Sequence, residues 1–224
     1  MTIIELIQEN SSQLINGLLT TLKLTGLSLL FACLIGLLIG LMNVSRNKLL
    51  RTIAKIYIDL IRGIPLMVLL FFIYFGITGF MKTYFPSINL SVDSVSILVL
   101  SLNAGAYMAE IFRAGIQAVP IGQMEAARSL GLPYGKTMWK IILPQAVRMM
   151  IPSIINQFII SLKDTTILSA IGVRDLFQNT RIIVSSNFES FKMYAICAVM
   201  YLIIITLLSL ASKQIEKRIS LGKS

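Results

Sequence analysis

The sequence predicts an all-α integral membrane protein that crosses the bilayer five times. Of its 224 residues, 56% are hydrophobic and 13% charged, about half the charged share of an average soluble domain. The charges gather between long apolar runs, and residues 24–42 and 193–211 hold none at all. At ~1.5 Å per residue, a run of that length matches the ~30 Å hydrocarbon core.

Residues 1–16 carry Glu5 and Glu9, and no Lys or Arg precedes Lys23. A secretory signal would open with positive charge, so this stretch reads as a short amphipathic segment at the outer surface. Residues 24–42 form the first span, with Gly36 and Gly40 on one face, where another helix can approach. Arg46, Lys48, Arg51 and Lys55 follow with no acid among them and mark an inner loop. Asp59 and Arg62, three apart just before the second span, are placed for a local ion pair. The second span opens near Ile64, with Pro65 at its entry, and runs through an aromatic stretch to about Phe80. An outer loop containing Pro86 follows.

The third span covers residues 95–112 and puts Ser96, Asn103, Tyr107 and Glu110 on one face. Lipid offers no partner to the Asn103 amide, so it faces either another helix or an aqueous cavity. A polar loop, residues 121–143, leads to the fourth span, 144–162, where Pro152 predicts a kink. Ser153, Gln157, Ser161 and Asp164 again share a face, with Asn156 beside it. Two polar faces predict a pathway between the third and fourth spans, lined near mid-depth by Asn103, Ser153, Asn156 and Gln157. Lys163 and Asp164 form either a surface ion pair or a gate. A polar loop to Glu189 precedes the fifth span, 193–211, and Lys213, Lys217, Arg218 and Lys223 hold the C-terminus inside. Lys and Arg number five, five and four in the inner segments against one, one and four in the outer ones. That bias predicts the N-terminus outside and the C-terminus in the cytoplasm.

The net charge of +10 does not point to nucleic acid, because the basic residues lie between apolar runs and not on a soluble, aromatic-studded face. Cys33 and Cys197 sit inside apolar segments. With no histidine and no spaced cysteine cluster, no metal site is expected. No Gly-x4-Gly-Lys-Ser/Thr loop is present, so the chain does not hydrolyse ATP by that route. No close pair of mid-depth carboxylates offers acid–base catalysis, and the chain is not expected to be an enzyme.

The most informative stretch is Glu125-Ala126-Ala127, three residues, Gly131, nine residues, then Ile141-x-Leu143-Pro144. Glu125 suits a helix N-terminus, the alanines leave the backbone approachable, and Gly131 with Pro133 stops the helix before Pro144 opens the next. The spacing resembles, at every signature position, the coupling motif of permease subunits of ATP-binding-cassette importers. Arg62-Gly63-Ile64-Pro65, Glu110-Ile111-Phe112-Arg113, Gly122-Gln123, Asn156-Gln157-Phe158 and Lys163-Asp164-Thr165 look like the polar amino acid uptake branch of that family. The likeness covers the chain from about Asp59 onward.

That resemblance implies a single permease domain over residues 1–224 with the type I importer fold, in a bacterial inner membrane. It implies a cytoplasmic coupling helix in which Glu125, Ala126, Ala127 and Gly131 engage a separate ATPase subunit. It further implies a second permease chain, identical or similar, an extracytoplasmic binding protein and an amino acid cargo. ATP and Mg would be used by the ATPase partner, with no cofactor on this chain. Neutral Asn156 and Gln157 favour a zwitterion such as glutamine or cystine, with arginine, lysine, histidine, glutamate and aspartate still open. The alternative, a secondary transporter driven by an ion gradient, would need intramembrane acids at mid-depth and has no use for the coupling motif.

Overall fold

A computed structural model describes residues 2–85 and 90–221, and the elements among them are helices. Pro86 and Lys223 lie outside the described residues.

Helix α1, Ile3–Asn43, starts with a capping box: the Thr2 hydroxyl accepts from the Glu5 N–H, and the Glu5 carboxylate accepts from the Thr2 N–H at 3.0 Å. Its 41 residues extend about 60 Å, twice the hydrocarbon core. The expected surface segment and first span are therefore one unbroken helix, which follows from the absence of Gly and Pro before Gly17. Helix α5, Val92–Gln117, runs beside α1 in the same direction. The Ser101 hydroxyl donates to the Ser28 carbonyl at 3.1 Å, Gly36 lies directly against Met108, and a Cβ on Gly40 would meet the Ala109 carbonyl at 3.1 Å. The two glycines bring α1 and α5 together as their spacing suggested. The largest core cluster joins these helices to later ones through Leu24, Leu70, Val95, Val99, Leu100 and Leu168.

Helix α2, Lys48–Gly63, corrects the expected inner loop. Ala54, Ile58 and Ile61 give it a buried face, and the Tyr57 hydroxyl donates to the Leu102 carbonyl at 2.8 Å, close to the midpoint of α5. Its basic residues occupy one side of the exposed surface, and Leu49, Ile53, Ile56 and Leu60 occupy another. Ile64 is then extended, as the residue before Pro65 must be, and α2 ends there. The second span, Leu66–Tyr84, consists of α3, Leu66–Phe71, a π-helical stretch, Phe72–Ile77, and α4, Thr78–Tyr84.

Helix α6, Ile121–Ser129, is short. The chain then re-enters the bundle well before Pro144: α7, Tyr134–Thr137, a π-helical turn, Met138–Ile142, α8, Leu143–Asp164, and a 3-10 stretch, Thr165–Ile171, form one continuous span. Pro144 stands in the first turn of α8, as expected, but the helical path already runs through α7 and the π-helical turn before it. Its missing N–H falls just after the π-helical turn, where the ordinary hydrogen-bond ladder is already shifted. Pro152 sits inside α8 without ending it. The last loop of the sequence reading contains a further helix, α9, Leu176–Asn187, and α10, Ser190–Leu221, is the fifth span.

Candidate functional site

The first part of the site is α6 and the turn that ends it. Pro120 precedes α6, so Glu125 is its fifth residue and does not cap its N-terminus as expected. The C-terminus is closed by three backbone bonds: Leu130 N–H to Ala126 O at 3.1 Å, Gly131 N–H to Arg128 O at 3.0 Å, and Leu132 N–H to Ala127 O at 3.1 Å. This Schellman pattern needs a left-handed residue after the cap, and Gly131 supplies it with φ +83°. The Arg128 guanidinium donates to the Leu132 carbonyl at 3.0 Å and closes the turn a second time. Ala127 is buried, while Glu125, Ala126 and Gly131 face outward. Met124, Val119, Ile142, Ala146 and Met150 pack behind the helix and fix it to α8. Around it Ile121, Leu130 and Trp139 are 75%, 83% and 74% exposed, the kind of apolar surface that a partner covers.

The second part is a cavity of about 910 Å³ between α5, α8 and α10. Tyr107 and Glu110 line it from α5, Ser153, Asn156 and Gln157 from α8, and Arg62 from the end of α2. It extends toward the α6 end of the bundle, where Lys213 and Glu216 of α10 stand in its wall. Gly115 lies against Met150 beside it and draws α5 and α8 together. Ser153 and Asn156 are open to the cavity, whereas Gln157 is nearly buried and its amide donates to the Ser161 hydroxyl at 3.4 Å. Asn103, expected in the same wall, is buried and does not line the cavity. The polar stripe of α5 is split by depth: its first half packs inside the bundle, and only Tyr107 and Glu110 reach open space.

The charges of the cavity are arranged unequally. Glu110 accepts a bidentate pair from Arg113, with Nη2 at 2.7 Å, and a bond from the Asn43 amide at 3.4 Å. It is therefore a brace between α1 and α5. Arg62 lies over the Tyr107 ring at 5.1 Å, and among the described residues no ion pair joins it to Asp59. Sequence reasoning missed Arg62 and Tyr107 as a pair. The available signal was the proline break at Pro65, which ends α2 with Arg62 directed into the bundle. Lys163 and Asp164 form no ion pair among the described residues either, because successive helix positions point about 100° apart. Lys163 is exposed and Asp164 half-buried at the far end of α8 from α6.

A further acid went unnoticed in the sequence. Asp175 is fully buried; its Oδ1 caps α9 by accepting from the Gln178 N–H at 2.8 Å. Among the described residues, its second oxygen and the Tyr201 hydroxyl are both buried and find no hydrogen-bond partner. Burial pushes the Asp175 carboxyl up to about 6, against the pull of its backbone hydrogen bonds.

Residues 32–221 match the family described as binding-protein-dependent transport system inner membrane component. The putative glutamine transport system permease protein of Rickettsia conorii is 37% identical over 92% of this chain and 92% of its own length. The L-cystine transport system permease protein of Bacillus subtilis is 37% identical over 96% of this chain and 90% of its own. A crystal structure of an amino acid ABC transporter with histidines superposes with a TM-score of 0.90 at 38% identity, covering 97% of this chain and 99% of that one. The methionine ABC transporter MetNI in an inward-facing conformation shares the fold at a TM-score of 0.76 and 23% identity, covering 93% of this chain and 97% of its own.

Proposed function

Because the chain belongs to the binding-protein-dependent transport system inner membrane components and is the permease subunit of an ATP-binding-cassette importer, we propose that it carries a polar amino acid across a bacterial inner membrane. The observation that carries the coupling half of this reading is the closed turn at Gly131, which makes α6 a short rigid lever with exposed apolar flanks. Two permease chains, identical or similar, pair around one pathway. Each α6, through Glu125, Ala126, Ala127 and Gly131, seats on an ATPase subunit that binds ATP and Mg. ATP binding draws the two levers together and opens the pathway to an extracytoplasmic binding protein; hydrolysis returns it to the cytoplasmic side. The N-terminus is outside and the C-terminus inside, with α6 in the cytoplasm.

The cavity supports the amino acid cargo. Arg62 offers a guanidinium for an α-carboxylate, Ser153, Asn156 and Gln157 offer neutral partners for a polar side chain, and Lys163 and Asp164 stand at the other end of α8, where a gate would close. The names and structures of the relatives point to the same class of cargo and lend nothing to the ion-gradient alternative.

The test is reconstitution of the chain with its ATPase subunit in lipid, with a panel of amino acids loaded on the binding protein. Uptake of one of them should depend on ATP. Nothing lies within 4 Å of a Cβ added at Gly131, so Gly131→Asp leaves packing intact but strains the turn and places a charge on the lever. The variant should insert normally and lose most uptake while hydrolysis continues. Normal uptake by Gly131→Asp would remove α6 from the mechanism.

A further inference from the structure

A second cavity, of about 990 Å³, lies between the end of α1, α2, the end of α5, α6 and α7. It adjoins the proposed pathway along α5, where Glu110 and Ala118 line both spaces. Glu110 is held at this seam by Arg113 at 2.7 Å and by the Asn43 amide. Helix α2 passes the same seam. Arg62, near its end, lines the pathway, and Arg51, Lys55 and Asp59 line the second cavity. Offsets of four, four and three put these four charges on one face of α2. All four are exposed, and among the described residues none of them forms an ion pair. A mixed stripe of charge is ordinary on a solvated helix. This one lines a space of ligand size, and it starts at the guanidinium assigned to the cargo. The rest of the wall is largely apolar, with Ile116, Val119 and Met138.

We infer that the cargo leaves through this second cavity, its α-carboxylate passing from Arg62 to Lys55 and then to Arg51 while Asp59 meets its α-ammonium. The inference rests on the amino acid importer reading, in which α6 is cytoplasmic and Arg62 receives the cargo. Along α2 the two steps are about 10 Å and about 6 Å, short enough for long basic side chains to hand over one carboxylate. Asp59 stands one turn from Lys55, so a zwitterion finds both signs of charge side by side. Every amino acid carries these two groups, and the stripe is therefore blind to the cargo's side chain. Glu110 repels a carboxylate at the seam, and Lys55 beyond it attracts one, so the field favours onward movement away from Arg62.

The experiment places a reporter thiol in the second cavity alone. Ser45, half-buried in its wall, is changed to Cys in a C33A/C197A background. The complex with its ATPase subunit is held in nanodiscs without ATP, and labelling by a neutral maleimide is timed. Glutamine, cystine, arginine and histidine are added in turn, with the carboxamide of whichever is transported. The transported amino acid should slow labelling and its carboxamide should not. R51Q/K55Q should raise the half-protecting concentration roughly 10-fold, Asp59→Asn should raise it as well, and R51K/K55R should restore it. Lys48→Gln removes a cation at the start of α2 that does not line the cavity and should protect as wild type does. Uptake that proceeds while the transported amino acid leaves labelling unchanged would take the cavity off the route. Equal protection of wild type and R51Q/K55Q would do the same, and so would altered labelling of R51Q/K55Q without cargo, which would make the two cations supports of the cavity wall. Absence of ATP-dependent uptake of any amino acid by wild type would instead overturn the importer reading itself.

Discussion

At position 175 a carboxylate caps α9 with one oxygen and buries the other, which finds no partner among the described residues, and this has a measurable pH signature. Its carboxyl titrates near 6 in the folded chain against an ordinary 3.8. Between those values the folded chain holds a proton that the unfolded chain releases, so stability falls as pH rises from about 4 to about 6 and is level above that. The loss amounts to about 3 kcal/mol at ~1.4 kcal/mol per unit. Asparagine caps a helix as well as aspartate and does not titrate. Asp175→Asn should therefore flatten the fall in apparent melting temperature across that window and raise stability near pH 7.5, measured in detergent. An unchanged slope would mean that another acid carries the effect. Nothing in the local sequence revealed this residue, since an aspartate before Leu176 reads as an ordinary cap and its burial comes from α1 and α10. Gly131 was legible because the constraint is local: a helix stop of this kind requires a residue that tolerates positive φ.

The elements differ in the same way. Runs of apolar residues long enough to span a membrane located all five spans, and the Gly36 and Gly40 spacing located the face on which α1 meets α5. Helix α2 was not legible as part of the bundle. Its Lys and Arg residues dominate composition, and only the spacing of Ala54, Ile58 and Ile61 records that one face is buried. The early entry of the fourth span was hidden by Pro144, which normally marks a helix start but here follows a π-helical turn. The α1–α5 contact gives a prediction with an internal control. A side chain at Gly36 would overlap Met108 and approach the Ala109 N–H at 3.1 Å, whereas at Gly26, on the same helix, it would meet nothing within 4 Å. Gly36→Val should cost about 1–3 kcal/mol by forcing the two helices apart, whereas Gly26→Val should be neutral or gain a few tenths, valine being a better helix former than glycine. Comparable thermal unfolding of the two variants would show that α1 and α5 are not in close contact.

For the whole molecule, the pathway depends on which polar faces the bundle leaves open. The sequence put Asn103, Ser153, Asn156 and Gln157 on facing stripes, but stripes do not record depth, and the cavity begins a turn below Asn103, at Tyr107. It also could not record that Arg62, far from either stripe in sequence, arrives at the same wall through the break at Pro65. Among the cavity's charges Glu110 is occupied by Arg113 and Asn43 and Lys213 stands at the α6 end of the wall, so the Arg62 guanidinium, stacked on Tyr107 beside the polar residues of α8, is the group best placed to meet a carboxylate. A charge-assisted hydrogen bond of this kind is worth about 1.5–3 kcal/mol, so Arg62→Gln should weaken the apparent affinity for cargo roughly 10- to 100-fold. Basal ATP hydrolysis should persist, because α6 is untouched. Arg62→Lys should recover part of the loss by restoring charge without the planar fork. Tyr107→Phe, which keeps the ring under the guanidinium, should leave affinity nearly unchanged. If Arg62→Gln and Arg62→Lys instead lost uptake and hydrolysis together, Arg62 would be a structural clamp on Tyr107, and the cargo carboxylate would have to be met elsewhere in the cavity.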